Sequence, residues 1–288
     1  PKNPIDDRAR RRPLMSKPTV ADLKTTLETW APPQAKLDYD NIGYQVGTPS
    51  KEVSKALICL DVTPEVIQEA VEIGAECIVS HHPILFKKPS EILTTTLQGE
   101  LIHGLIEAGC SLITAHTNLD AAPGGVSFKL AEKLGLREVE FLRPFEAAGQ
   151  TVGFGAVGLL STPHTTADFS KHVAVSLGQP TLRTAGGYAT HQEGFRVERV
   201  AVCGGSGSSL LDEISWDGID AFVTADVTYH RFFVEHPSLF LVDVGHYESE
   251  MMIIEAMREH LTTAHPSAQF FSTKIQTNPV TYHSFSDA

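Results

Sequence analysis

Short apolar runs alternate with amphipathic stretches along most of this chain, and that alternation restricts the fold more than any other feature. Ala56-Leu57-Ile58-Cys59-Leu60, Glu76-Cys77-Ile78-Val79 and Ser111-Leu112-Ile113-Thr114-Ala115 each have the length and composition of a buried strand. Between the first two, Thr63 suits a helix N-cap and Pro64 the first helical position; Val66, Ile67, Ala70 and Val71 form one apolar face, and Gly74 stops the helix. Thr96 to Ala108 reads as a second helix, ended by Gly109, and an earlier amphipathic helix runs from Val20 to Trp30. Alternation of this kind predicts an α/β fold with mostly parallel sheets.

The pattern returns from Val197. Val200-Ala201-Val202-Cys203, Ala221-Phe222-Val223-Thr224 and Leu239-Phe240-Leu241-Val242 read as strands, a helix carries Ile253, Ile254, Met257 and Leu261, and Gln269 to Ile275 is a last extended piece. Gly74 to Val79 is echoed by Gly218 to Val223, and strand–His116-x-x-x-Asp120 by strand–His246-x-x-x-Glu250. The expectation is two linked, internally similar α/β lobes facing each other. The lobes span 18–144 and 197–288, with a connecting unit at 145–196 that holds a strand near 153–159, a helix from Thr166 to Leu177 and a short strand from Thr181 to Thr184. Residues 1–17 form a basic arm with Lys2, Arg8, Arg10, Arg11 and Arg12 and no apolar periodicity. It is expected to be disordered: an appended segment, or an extension upstream of a start at Met15.

Composition narrows the partners. At 288 residues and 42% hydrophobic, the chain can fill one large domain or two ordinary ones. It has no run long enough to span a bilayer and no signal-peptide core. Cys59, Cys77, Cys110 and Cys203 each sit in an apolar run without Cys-x-x-Cys pairing. This usage predicts reduced thiols in a cytoplasmic protein. A formal net charge of −12 opposes direct binding to nucleic acid or anionic membrane.

The chemistry gathers where strands end. Val79-Ser80-His81-His82-Pro83 places two adjacent imidazoles at the close of a strand that Pro83 cannot continue. His116…Asp120 and His246…Glu250 follow two more strands. In open α/β sheets, ligands bind at the carboxyl ends of strands. Histidine with carboxylate suits zinc, iron or manganese, and a carboxylate can bridge a pair of ions about 3.5–4 Å apart. If Glu250 lies one helical turn beyond His246, the two side chains meet. Each pair alone has a plainer reading, as hydrogen-bonded surface histidines or a helix cap. Asp226 and His230 also follow a strand and could act as acid and base or support ligands from behind; a helix N-cap and an exposed histidine are the simpler alternative. Gly204-Gly205-Ser206-Gly207-Ser208-Ser209 lacks the lysine of a phosphate loop and reads first as a tight glycine turn.

Taken together, Ser80-His81-His82-Pro83, His116-Thr117-Asn118-Leu119-Asp120 and Gly245-His246-Tyr247-Glu248-Ser249-Glu250 resemble the signatures of the Ngg-interacting factor three family. Its members are also labelled GTP cyclohydrolase 1 type 2 homologues. Asp40-Asn41-Ile42-Gly43, the Gly204–Ser208 stretch and Asp226-Val227-Thr228-Tyr229-His230 are similar to further family motifs. The resemblance implies two α/β lobes around a central dinuclear metal site, often within a ring-shaped homohexamer. It implies metal ligation by His81, His82, Asp120, His246 and Glu250, with Asp120 bridging and His116 bordering the site. Tyr39 stands where the family usually has tryptophan, and Ala225 and Thr228 where it has glycine and lysine. The expected function is a metal-dependent hydrolase with two divalent ions (zinc, iron or manganese), acting on a nucleotide or related small molecule, with His116 or His230 passing protons. The alternative is a non-catalytic protein-interaction or metal-handling oligomer.

Overall fold

The computed structural model describes residues 16–283. The basic arm therefore lies, up to residue 15, outside the described residues.

In chain order the elements are α1 (Val20–Trp30), β1 (Gly43–Val46), β2 (Lys55–Cys59), α2 (Pro64–Ile73), β3 (Cys77–Ser80), α3 (Leu97–Glu107), β4 (Ser111–Thr114), α4 (Thr117–Asp120), α5 (Val126–Lys133), β5 (Arg137–Ala147) and β6 (Gln150–His164). They continue with α6 (Thr166–Leu177), β7 (Arg183–Gly186), β8 (Val197–Val202), α7 (Leu210–Glu213), β9 (Ala221–Thr224), β10 (Phe240–Asp243), α8 (His246–Glu250), α9 (Ile253–Ala264) and β11 (Gln269–Ser272). The expected caps form. The Thr63 side chain accepts from Val66 N at the start of α2, and Gly74 closes that helix in the left-handed conformation.

The strands make two sheets, in the orders β1-β4-β3-β2-β11 and β5-β6-β8-β9-β10-β7. In the first, β4, β3, β2 and β11 run parallel and only β1 is antiparallel. The second is mixed: β8, β9 and β10 are parallel, while β5, β6 and β7 pair antiparallel. This corrects the expectation of mostly parallel sheets throughout. The hairpin β5–β6 is the reason, because a tight turn at Ala148 and Gly149, both at positive φ, can join only antiparallel neighbours.

Period-two burial builds the layers. On the first sheet Ile58, Val79 and Ile113 face α1 and α9 through Leu23, Leu27 and Met257, while Leu57, Ile78 and Leu112 face α2 and α3 through Val66 and Leu105. On the second, Val200, Val223 and Val242 pack on α5 and α6 through Leu130, Phe169 and Val173; Ala201, Phe222 and Leu241 pack under Leu210, Trp216 and Val227. The parallel strands β3, β4, β9 and β10 are buried on both faces, so their polar business is confined to their ends.

One placement departs from the linear reading. The last strand, β11, joins the first sheet beside β2 rather than the sheet built by residues 197–243. The following tail then passes the carboxyl end of β2, where Thr277 donates to Asp61 Oδ2 at 2.8 Å.

Candidate metal centre

Five strand ends converge. β2 leads through Leu60 to Asp61, β3 directly into His81 and His82, β4 through Ala115 to His116, β9 through Ala225 to Asp226, and β10 through Val244 and Gly245 to His246. Each is the carboxyl end of a strand in a parallel pair, where ligands gather in α/β sheets. The first three come from one sheet and the last two from the other.

The four imidazoles are fixed in the same way. His81 Nδ1 donates to the Ala115 carbonyl at 2.9 Å. His82 Nδ1 donates to Asp61 at 2.7 Å, His246 Nδ1 to Asp226 at 2.7 Å, and His116 Nδ1 to Asp40 at 2.8 Å. A ring that keeps only its Nδ1 proton has a lone pair to offer at Nε2, which is how metal-binding histidines are usually oriented from behind. Asp226 adopts a φ of +53°, a conformation uncommon outside glycine and best tolerated by Asn and Asp. That backbone turn aims its carboxylate at His246.

The Nε2 atoms face carboxylates and each other. His81 Nε2 lies 3.4 Å from Asp120 Oδ1 and 3.9 Å from Glu250 Oε1. Glu250 Oε2 lies 3.0 Å from His82 Nε2 and 3.1 Å from His246 Nε2. The last two nitrogens are 3.4 Å apart. One turn of α8 brings Glu250 back over His246, as the four-residue spacing predicts.

Two atoms of this cluster, His81 Nε2 and Asp120 Oδ1, are buried without a hydrogen-bond partner, and Glu250 Oε2 is buried beside the His82 and His246 rings. A buried polar atom left alone costs on the order of 1–3 kcal/mol. His81 Nε2 and Asp120 Oδ1 face each other and Glu250 Oε1, while Glu250 Oε2 faces the His82 and His246 rings, and electron-pair donors so gathered could be satisfied by a cation. Within 4.8 Å of one another, ligand atoms group as His81, Asp120 and Glu250; as His82, His246 and Glu250; and as His81, His82 and His116. Glu250 belongs to the first two groups, with an oxygen towards each. The resemblance gives the bridging position to Asp120, whereas in this geometry Glu250 faces both groups. The donor set suits zinc, iron or manganese, and the orphaned atoms fit a bound ion.

Electrostatics express the same crowding. Burial pushes the fully enclosed His81 imidazole down to about 3. For His82 and His246 burial also acts downward, but Glu250 with Asp61 and Asp226 respectively outweighs it, raising them to about 10 and about 9. Burial and the Glu250 charge hold Asp120 well above the usual carboxylate range. Burial also penalises the Glu250 charge, yet the imidazoles of His246 and His82 win and keep it well below that range. Asp40 resists burial in the same manner; His116 and Thr117 hold it at about 2.

The glycine stretch at 204–209 is a seat for Glu250. Gly205 has a φ of +61°, and a Cβ there would overlap Glu250 Oε1. Its N–H donates to Ser249 Oγ at 2.9 Å, and the Gly207 N–H to Thr224 Oγ1 at 3.0 Å. These amides are spent on side chains of α8 and β9, which fixes the turn against both elements.

The centre opens on a cleft of about 480 Å³ lined by His82, His116, Asp120, His246 and Glu250 together with Tyr39, Phe86, Phe154 and Leu210. A second cleft of about 470 Å³ meets His82 and His246 from the side of Asp61 and Asp226. Of the residues expected at the site, the structure thus brings together His81, His82, His116, Asp120, His246 and Glu250. His230 is not among them. It is exposed in the turn Tyr229–Phe232, stacked near Phe233, and lines a separate hollow with Trp216. A proton-passing role for His230 finds no geometric support within one chain. Asp61 was not anticipated. Its signal is the one shared by the others, a polar residue directly after a buried apolar run.

Comparison with known proteins gives a consistent picture. The family profile described as Duf34/NIF3 (NGG1p interacting factor 3) matches residues 18–279. A Clostridium perfringens protein named GTP cyclohydrolase 1 type 2 homolog is 34% identical over 265 residues, covering 90% of this chain and 97% of the relative. A Streptomyces coelicolor protein of the same name is 33% identical over 276 residues, covering 92% and 95%. The crystal structure of a Bacillus cereus protein related to NIF3 superposes with a TM-score of 0.83 over 93% of this chain and 100% of that one; at 24% identity it speaks to the fold alone.

Proposed function

This chain belongs to the Duf34/NIF3 (NGG1p interacting factor 3) family, and from that premise we propose that it is a metal-dependent hydrolase built on a dinuclear centre. His81, His82, Asp120, His246 and Glu250 would hold the two ions. One position takes His81, Asp120 and Glu250 and the other His82, His246 and Glu250, following the two groupings that share Glu250. The observation that carries this reading is the pair of buried, unpartnered donor atoms His81 Nε2 and Asp120 Oδ1, with Glu250 shared between them and the His82 and His246 rings.

Bound divalent ions supply Lewis acidity, which makes a nucleophile of water near neutral pH and polarises the bond to be broken. The protein's own residues do the rest. Asp61 and Asp226 fix the rings of His82 and His246, so little reorganisation is needed on binding. His116, held by Asp40 through Nδ1 and lining the cleft, keeps Nε2 free to take or give a proton. The substrate is a small molecule of the nucleotide or heterocycle class, in line with the name that the relatives carry.

The family description also names an interaction partner, which keeps a non-catalytic assembly as the alternative. The open cleft favours turnover, because a storage or structural site needs no access. Two internally similar lobes, a homohexamer and a cytoplasmic location belong to the same proposal. Exposed Tyr188, Tyr229 and Phe233 offer surface for subunit contact, and among the described residues no helix is long and apolar enough to cross a membrane. The test is a hydrolysis screen over nucleotides and phosphoesters with metal-loaded protein. Turnover should fall at least about a hundredfold in His116→Ala with metal content kept. Absence of any activity above an Asp120→Ala control would favour the non-catalytic assembly.

A further inference from the structure

Tyr39 and Phe86 stand 65% and 44% exposed, yet both line the cleft that opens on the centre. Their rings meet edge to face with centroids 6.0 Å apart at 64°, and Phe86 meets His116 at 6.3 Å and 77°. Both rings are carried on backbone tied down close by. Tyr39 directly precedes Asp40, whose carboxylate accepts from His116 Nδ1 at 2.8 Å and Thr117 N at 3.0 Å. Phe86 directly follows Leu85, whose N–H donates to Gln45 Oε1 at 3.1 Å and whose carbonyl accepts from Asn41 Nδ2 at 2.7 Å. Aromatic rings held in place but left open to water beside a reactive centre gain burial when a flat ligand covers them.

Charge in the cleft excludes another class. Arg143 is the one Lys or Arg among its lining residues, and it is already paired with Glu213, which lines the same cleft. Asp120 and Glu250 also line it, but their charge is taken up as ligands of the ions. In the glycine turn the amides of Gly205 and Gly207 are already bonded to Ser249 and Thr224 and are not available to an anion. A chain of phosphates reaching past the ions would meet Arg143 already paired with Glu213 and no other Lys or Arg among the lining residues to balance it.

Resting on the reading of the centre as hydrolytic, we infer that the cleft takes a flat aromatic or heteroaromatic substrate without a polyphosphate, so that a nucleobase or nucleoside suits it better than a nucleoside triphosphate. Tyr39 and Phe86 are the specificity-determining residues, and Glu213 is the residue that keeps Arg143 from receiving an anionic extension.

Hydroxamates test this, because one metal-chelating head can be carried on different bodies. Calorimetric titration of the metal-loaded protein should show benzohydroxamate binding at least about tenfold tighter than acetohydroxamate. Tyr39→Ala and Phe86→Ala should each erase most of that preference while acetohydroxamate binds as before. If an alanine variant loses its metal, the leucine variant at that position carries the comparison. A benzohydroxamate bearing a ring phosphonate should bind more weakly than its parent and recover in Glu213→Gln. Equal binding of the two simple hydroxamates, or tighter binding of the phosphonate, overturns the inference and leaves the hydrolase reading standing. Failure of both to bind shows that no open metal position exists, and the hydrolase reading falls with the inference.

Discussion

Metal uptake by this protein should release protons, in a number the geometry fixes. In metal-free protein His82 and His246 are raised to about 10 and about 9, since the carboxylates of Glu250, Asp61 and Asp226 overcome the cost of burial. At pH 7.5 both are then almost fully protonated. His81, pushed down to about 3, is neutral and gives up nothing. Ligation requires neutral imidazole, so filling the centre expels about two imidazolium protons, plus any proton held by Asp120, which is also raised. The sign follows: apparent affinity increases with pH, by up to about a hundredfold per unit for two protons, and levels off only as pH passes about 9 to 10. The same groups stabilise the metal-free fold below pH 6.5 and lose that contribution as pH rises through their raised values. The assay is titration calorimetry with zinc or manganese in buffers of different ionisation enthalpy at one pH, repeated between pH 6 and 8.5. Release of fewer than about one proton, or affinity independent of pH, would refute the claim that these imidazoles face the ions.

Three further outcomes are expected. Asp61→Asn removes the charge behind His82, and metal affinity should weaken about 10- to 100-fold with unchanged circular dichroism; Thr277→Val, which frees one Asp61 oxygen, should weaken it less. Gly205→Ala forces a Cβ onto Glu250 at a left-handed backbone position, so it should cost on the order of 1–3 kcal/mol in denaturant unfolding and reduce bound metal. Asp40, held at about 2 against an ordinary 3.8, contributes roughly 2 kcal/mol that is present above pH 3.8 and lost as pH falls towards 2. Asp40→Asn should therefore lower the melting temperature near pH 7 and have little effect near pH 2, and an equal effect at both would contradict this account.

The centre was legible because its signal is local. A buried run of apolar residues followed directly by His81-His82, or after Val244-Gly245 by His246, marks a strand's carboxyl end without any knowledge of the partner strand. Asp61 carries the same mark, but it acts on a histidine 21 positions away, and the second His82 nitrogen it fixes has no expression in local spacing. His230 shows the reverse: the motif position is right, yet the chain turns outward after Val227 and leaves it on the surface. Strand β5 escaped notice because Arg137, Glu138 and Glu140 break the apolar pattern; as an edge strand it is exposed along most of its length and is defined by pairing with β6. Strand β11 was found as an extended piece, but sheet membership depends on a crossover back to β2 that no residue type announces.

The central claim is that donors from two sheets close on a pair of ions through Glu250, and metal stoichiometry reads it directly. Elemental analysis of protein dialysed after loading with zinc, iron or manganese should give about two ions per chain, falling below one in Glu250→Ala while the chain stays folded. A wild-type protein that retains no metal, or a Glu250→Ala variant that keeps both ions, would contradict it.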